Sequence, residues 1–156
     1  MLRPDKTFFQ AEAWREMADW EAELAPHYTT AEKMMGVANN PRLGPADHIC
    51  REIATELGQE KTFRPTPVAV YFGEPGVTVS DPYFGGTGPS RTGCNFCGNC
   101  MVGCRFNGKN TLDKNYLYLA EHYGAEVRAE ANAEFIRPCN TAWPDGSRYE
   151  VFYRRS

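Results

Sequence analysis

The sequence predicts a mixed α+β or α/β fragment, with helices first, then a long cysteine-rich loop, then an αβ step and strands. Three observations point there. Apolar residues recur at helical spacing through the first 57 residues. The 36 residues from Gly73 to Gly108 show little period. Alternation at Tyr149, Val151 and Tyr153 then marks a strand. The organisation expected is a helical part over 1–72, a Gly/Pro- and Cys-rich loop over 73–108, and a helix with strands over 109–156.

In the first part, Thr7 and Gln10 fit a capping box, followed by the stripe Phe9, Ala13, Met17, Trp20, Leu24. Pro26 is expected to break that helix. Thr29 and Glu32 fit a second box ahead of Met34, Met35 and Val37, with Gly36 as its stop. A third helix over about Ala46–Leu57 puts Ile49, Ile53 and Leu57 on one face and ends at Gly58. Pro65–Phe72 reads as a short strand. Past the loop, Asn110 or Thr111 can cap a helix bearing Leu112, Tyr116, Leu119, Ala120 and Tyr123, closed by Gly124. Ala125–Ala129, Ala133–Arg137 and Ser147–Tyr153 read as strands, the last two separated by the turn Trp143-Pro144-Asp145-Gly146. An αβ step with two more strands is only a piece of a layered sheet, so the chain reads as cut from something larger.

Composition narrows the function. With 42% hydrophobic and 24% charged residues, the chain is of the folding class. A net charge of −3 gives no electrostatic case for nucleic acid or an acidic membrane. No apolar run approaches the ~20 residues of a membrane-spanning helix. Met1–Gln10 lacks the apolar stretch of a secretory signal, which sets the expectation of a cytoplasmic protein. Gly and Pro supply 25 of 156 residues, above the roughly 12% of average usage, and aromatics supply another 20. That combination suggests long ordered loops held by large side chains.

Four of the six cysteines, Cys94, Cys97, Cys100 and Cys104, fall within eleven residues in a C-x2-C-x2-C-x3-C run. Short spacers of this kind let backbone amides wrap an iron–sulfur cluster, and Gly98 and Gly103 supply permissive backbone. Against this, the run is single and Arg105 stands where the ferredoxin-type run has proline. Only Gly98 and Asn99 separate Cys97 from Cys100, too few for two zinc knuckles. The spacing leaves three readings open: an iron–sulfur site, another metal, or thiols that pack or form disulfides.

The block RTGCNFCGNCMVGCRFNGKNTLDKNYLYLAE, Arg91–Glu121, resembles the glucose–methanol–choline (GMC) family of FAD-dependent oxidoreductases, in its cholesterol-oxidase-like bacterial branch. Leu24–Pro41 is similar to that family's segment after its flavin-contacting loop. Gly124–Val127 with Phe135–Pro138 is similar to the strand pair that returns to the FAD domain. The resemblance implies that 1–72 flanks the FAD and substrate regions and that 109–156 returns to an incomplete FAD-binding domain. It implies an activity on CH–OH groups of an alcohol or sterol-like substrate, with hydride passing to FAD. It also implies that the G-x-G-x-x-G pyrophosphate loop and the catalytic histidine lie outside these residues, leaving no catalytic residue here and an inactive isolated chain. Ala133 takes the place of a family valine whose backbone meets the FAD adenine. Distant sugar-oxidising members hold an iron–sulfur cluster in a corresponding cysteine-rich stretch. The alternative function is an electron-transfer module built on Cys94–Cys104.

Other residues have simpler readings. His27, His48 and His122 have no orienting partner in sequence and read as surface or capping residues. Met34, Met35, Trp14 and Trp20 read as packing residues, Cys50 as a small hydrophobe, and Arg148, Arg154 and Arg155 as solvated. No role is assigned to Cys139.

Overall fold

The computed structural model describes residues 3–139 and 146–155. It divides into two units, Met1–His122 and Tyr123–Ser156, each taken by itself below.

The first unit opens with α1, Lys6–Phe9, capped by Asp5, whose carboxylate accepts the Thr7 N–H at 3.0 Å. The helix stops after one turn although the apolar stripe continues. Trp14 Nε1 donates to the Phe8 carbonyl at 3.0 Å and Trp20 Nε1 to the Trp14 carbonyl at 2.9 Å. The two indoles thereby hold residues 10–19 in turns rather than in a continuous helix. Asp19 then caps α2, Trp20–Met34, by accepting the Ala22 N–H.

Pro26 lies inside α2, so the expected break there is overturned. The missing N–H and ring clash cost about 3 kcal/mol or more in a helix interior. The helix runs through it all the same, from the Asp19 cap to Met34, with Arg3 bonded to Thr29 and Glu32 beyond the proline. The Thr29 and Thr30 hydroxyls fold back onto the Ala25 and Pro26 carbonyls instead of capping a new helix. Gly36 ends the segment in a left-handed conformation (φ 55°), as its placement predicts.

α3, Pro45–Glu56, starts at Gly44, whose N–H donates to the Asp47 carboxylate at 2.7 Å, and Gly58 (φ 67°) follows its end. Its Ile49, Ile53 and Leu57 face is exposed. The strand expected over Pro65–Phe72 contracts to β2, Pro67–Val68, antiparallel to β1, Ala38–Asn39. Beyond β2 the chain bends at Ala69 and meets the loop through the single antiparallel bridge Val70–Lys109. Tyr71 N–H donates to the Gly108 carbonyl (2.8 Å), and the Tyr71 carbonyl accepts the Cys94 N–H (2.9 Å).

The long loop is ordered. Its spine is the pair β3, Thr78–Val79, and β4, Arg91–Thr92. Asp81 organises one bend by accepting the N–H groups of Tyr83, Phe84, Gly86 and Gly88 at 2.8–3.0 Å. Arg91 anchors the other. Its side chain is 1% exposed and donates to Asn110 Oδ1 (2.6 Å) and to the carbonyls of Pro89, Ser90 and Lys114 (2.9, 3.1 and 2.5 Å). Asn110 in turn donates through Nδ2 to the Met35 carbonyl at 3.1 Å, tying the loop to the end of α2. Asn110 is therefore a buried tie and not a helix cap.

The helix expected after the loop is split into a 3-10 turn, Leu112–Lys114, and α4, Tyr116–His122. The break falls at the fully buried Asn115, whose backbone (φ −137°, ψ −96°) is not helical.

The second unit is an antiparallel ribbon of β5, Ala131–Pro138, and β6, Tyr149–Arg155, with a register shift between Ala133 and Phe135. Phe135 stacks on Phe152 at 4.4 Å. Arg154 is exposed, as read, and also pairs with Glu134 at 2.5 Å. Ala125–Ala129 forms no strand, which removes the expected αβ step. Among the described residues no strand lies beside that segment, and an isolated extended segment has nothing to bond to. The residues Trp143, Pro144 and Asp145 of the expected turn lie outside the described residues. The architecture is thus α+β with small antiparallel pairs. Among the described residues, no helix is long and apolar enough to cross a membrane.

Two outcomes follow from these anchors. Arg91→Met removes the donor shared by four oxygen acceptors, of which the Ser90 carbonyl keeps its bond from Asn107, and should cost about 2–4 kcal/mol, read as a lowered urea midpoint. Burial works to raise the Asp81 carboxyl, but its four N–H donors together hold it below the ordinary value. Its contribution is therefore full above the unfolded value of about 3.9 and is lost as pH falls through the lower folded value. Asp81→Asn should flatten that acid loss when Tm is followed from about pH 7 to about pH 2.

Candidate functional site

The candidate site is the cavity under the cysteine loop. It measures about 850 Å³ and is walled by the residues before α3, the segment after β2, and the loop from Cys94 to Lys109. Val68, Val70, Phe72, Phe96, Met101 and Phe106 make it largely apolar, and Arg42, Asp47, Asn95 and Lys109 add polar edges.

One side of the loop is pinned by Phe96. That residue sits in the left-handed region (φ 60°), a strained conformation for an aromatic. Its ring stacks on Phe72 at 5.7 Å, and the Arg42 guanidinium lies 3.8 Å from the ring centroid. These contacts hold the strained residue in place. The root of the loop is Gly93, whose N–H donates to the Val77 carbonyl (2.9 Å) and whose carbonyl accepts the Gly76 N–H (3.0 Å). The other end is held by Lys109, which donates from Nζ to the Cys100 carbonyl at 2.8 Å.

All four clustered cysteines line this cavity as free thiols. Cys94 and Cys104 are half-buried, whereas Cys97 and Cys100 are exposed. Cys94 Sγ accepts the Phe96 N–H at 3.4 Å. At Cys104, burial pushes the thiol up, but the backbone N–H groups of Lys109, Gly108 and Phe106, with the Lys114 charge, bring it below its ordinary value. Among the described residues, no three Cys, His, Asp or Glu side chains gather to hold a metal ion. The iron–sulfur reading of Cys94, Cys97, Cys100 and Cys104 therefore finds no ligand set. Gly98 and Gly103 both take positive φ (78° and 119°) within the run.

Ala133 lies in the other unit, exposed on β5 opposite Tyr153 and next to the register shift. Cys50 is exposed on α3, and Cys139 is half-buried. The residues that organise the site and were not singled out from sequence are Arg91, Asp81, Phe96 and Arg42. Asp81 carried a signal, because Gly86 and Gly88 follow at spacings that can present open N–H groups to it. The buried guanidinium carried none.

No family model matches the chain, and no solved structure matches it. Named proteins do. Cholesterol oxidases from Mycobacterium tuberculosis strains CDC 1551 / Oshkosh and ATCC 25618 / H37Rv are each 54% identical over 129 residues, covering 80% of this chain and 22% of their own length. A cholesterol oxidase from Acinetobacter baumannii is 44% identical over 155 residues, covering 97% of this chain and 28% of its own length. Over that stretch, the chain is a homologue of these cholesterol oxidases. This bears out the resemblance read from the Arg91–Glu121 block to the cholesterol-oxidase-like branch of the GMC family. The chain spans about a quarter of the length of the curated relatives it matches.

The root of the loop gives a direct check on the site's geometry. A Cβ on Gly93 would fall onto the carbonyl oxygen of Glu74 and within 2.8 Å of the Gly73 carbonyl carbon, both backbone atoms that cannot rotate away. Gly93→Ala should lower stability by roughly 1–3 kcal/mol. It should also raise the alkylation rate of the half-buried Cys94 beside it.

Proposed function

We propose that this chain is a segment of an FAD-dependent oxidoreductase acting on the CH–OH group of a sterol-like alcohol. The observation that carries the reading is 44–54% identity to named cholesterol oxidases over 80–97% of the chain. In this reading, residues outside the 156 supply the pyrophosphate-binding loop and the histidine that takes the hydroxyl proton. FAD, when bound, would accept the hydride.

What this chain offers a flavin is modest and sits on β5. The ribbon has only two strands, so each strand keeps one edge of backbone groups unpaired within its sheet. Ala133 brings only a methyl group to that exposed surface, leaving its backbone within reach of a planar ring. A backbone contact to adenine depends on the N–H and C=O groups rather than on the side chain, so alanine can serve in place of valine. The cysteine-loop cavity plays no catalytic part in this reading.

A chimera tests the proposal. The matching stretch of the Acinetobacter baumannii relative is replaced by these residues, and the purified protein is assayed for bound FAD and cholesterol oxidation. The expected result is a yellow protein that oxidises cholesterol, beside an isolated 156-residue chain that does not even with added FAD. A folded, flavin-loaded chimera without sterol oxidation would overturn the sterol assignment. Turnover by the isolated chain would overturn the assignment of this chain as a segment.

A further inference from the structure

The six thiols are not equivalent. All four cysteines of the run line the 850 Å³ cavity, but only Cys97 and Cys104 also line a second, adjacent cavity of about 160 Å³. That smaller space is also lined by Asn99, Val102, Gly103, Arg105 and Phe106, so Cys97 and Cys104 share both cavities. Cys94 and Cys100 do not reach it. We propose that Cys97 and Cys104 are a reversible dithiol–disulfide pair, oxidised by a peroxide, with Cys104 as the sulfur that reacts first.

Local chemistry assigns the two roles. At Cys104 the backbone N–H groups of Lys109, Gly108 and Phe106, with the Lys114 charge, outweigh burial and hold the thiol below its ordinary value. Such donors favour an anionic sulfur, which is the nucleophilic form. Cys97 is exposed, so a sulfur at that position can reach a partner and can itself be reached by a reducing thiol. Cys94 is less suited, because its sulfur already accepts the Phe96 N–H and its backbone is fixed to Tyr71.

The chain between the pair is built to adjust. Six residues separate the two cysteines, with Gly98 after the first and Gly103 before the second. Both glycines have positive φ (78° and 119°) and open space where a side chain would be. The tip residues Met101 and Val102 are 96% and 89% exposed, so no side-chain packing at the tip resists a shift. The flank before Cys97 is held by the stacked Phe96, and within the segment the Cys100 carbonyl accepts from Lys109 Nζ and the Asn99 carbonyl accepts the Val102 N–H. A disulfide needs its two Cα atoms within about 4.4–6.8 Å, and the glycines supply the freedom to meet that requirement.

The reaction balances in two steps. The Cys104 thiolate attacks one oxygen of hydrogen peroxide. An S–O bond forms, the O–O bond breaks, and the leaving hydroxide takes a proton to become water. Cys104 is thereby oxidised by two electrons to the sulfenic acid and the peroxide is reduced. The Cys97 sulfur then attacks the Cys104 sulfur. The S–S bond forms, the S–O bond breaks, and the oxygen departs as a second water carrying the Cys97 proton. An external dithiol reverses the pair. This inference does not depend on the sterol reading.

The test is differential labelling of the whole purified chain. Reduced protein is treated with hydrogen peroxide, free thiols are blocked with one alkylating reagent, disulfides are reduced, and a second reagent marks what was protected. Fragment spectra of the tryptic peptide Thr92–Arg105 then read all four positions. The second label is expected on Cys97 and Cys104, with the first on Cys94 and Cys100. In the Cys97→Ser variant, oxidation should stop at a Cys104 sulfenic acid that dimedone traps. In Cys104→Ser, peroxide consumption should fall about tenfold, as expected when the reactive thiolate is lost. The same treatment in denaturant controls for folding, and the pairing should scatter there. Protection of another pair, equal scatter in native and denatured protein, or stoichiometric iron or zinc shielding all four thiols would each overturn the proposal.

Discussion

A guanidinium buried to 1% exposure, with no carboxylate hydrogen-bonded to it, sets the conditions for the first unit. Taking a cation out of water is costly, and here the cost is met by four oxygens fixed in one place. Those oxygens belong to Pro89, Ser90, Asn110 and Lys114, so one side chain closes both ends of the loop at once. Asn110 extends the network to Met35, and Asn107 binds Ser90 and Lys114 around its edge. The Tyr83 ring lies 5.8 Å from the same guanidinium and packs close against Gly36. A lysine carries the charge but not the planar fork that reaches several acceptors together. With little regular structure between Gly73 and Asn115, this polar network does what a sheet or helix pair does elsewhere.

The network also explains why one cysteine loop can be firm at its base and loose at its tip. Gly93 and Cys94 follow directly after β4 and take their backbone bonds from Val77 and Tyr71. Past Phe96 the bonds thin out, and the hydrophobic tip stands in solvent. Cys104 falls where order resumes, under the N–H groups of the segment that returns to Asn110. A sulfur at a boundary between held and unheld chain differs from a sulfur in a closed four-ligand shell. That difference separates a redox pair from a metal centre more sharply than spacing does.

Local chemistry was legible in the sequence, and long-range ties were not. Gly36 and Gly58 mark helix ends by rules that involve only a few neighbouring residues, and they fall where those rules put them. The strands around Ile136 and Val151 follow from alternation in the same way. Pro26 misleads because its penalty does not by itself end a helix: α2 runs through it from the Asp19 cap to Met34. The stripe from Phe9 to Leu24 misleads because two indole N–H groups capture backbone carbonyls that a helix would have used. Asn110 reads as a cap by residue type, but its amide bridges segments 75 and 19 residues away. The cysteine run shows the same limit. Spacing says which sulfurs could meet, but not the path that the backbone takes between them at Gly98 and Gly103.

The balance between buried polar and apolar groups bears on how this chain works. Among the described residues, the buried apolar side chains are Phe9 and Val70, set against buried Arg91, Asn110 and Asn115. A domain of about 150 residues ordinarily buries some two-thirds of its unfolded surface around a continuous apolar core. Here the Ile49, Ile53 and Leu57 face of α3 is uncovered, as are Phe135, Ile136 and Val151 on the ribbon. Residues of this kind in amphipathic order are the signature of surfaces that lie against other structure. Alternation along β6 and helical spacing along α3 put the apolar groups on definite faces, which random exposure would not do. A chain that spans about a quarter of its relatives' length has, in the remainder of such a protein, the material to cover both faces. In that setting, the Arg91 network would hold the cysteine loop in shape while the apolar faces dock, and the loop's own stability would not depend on the docking.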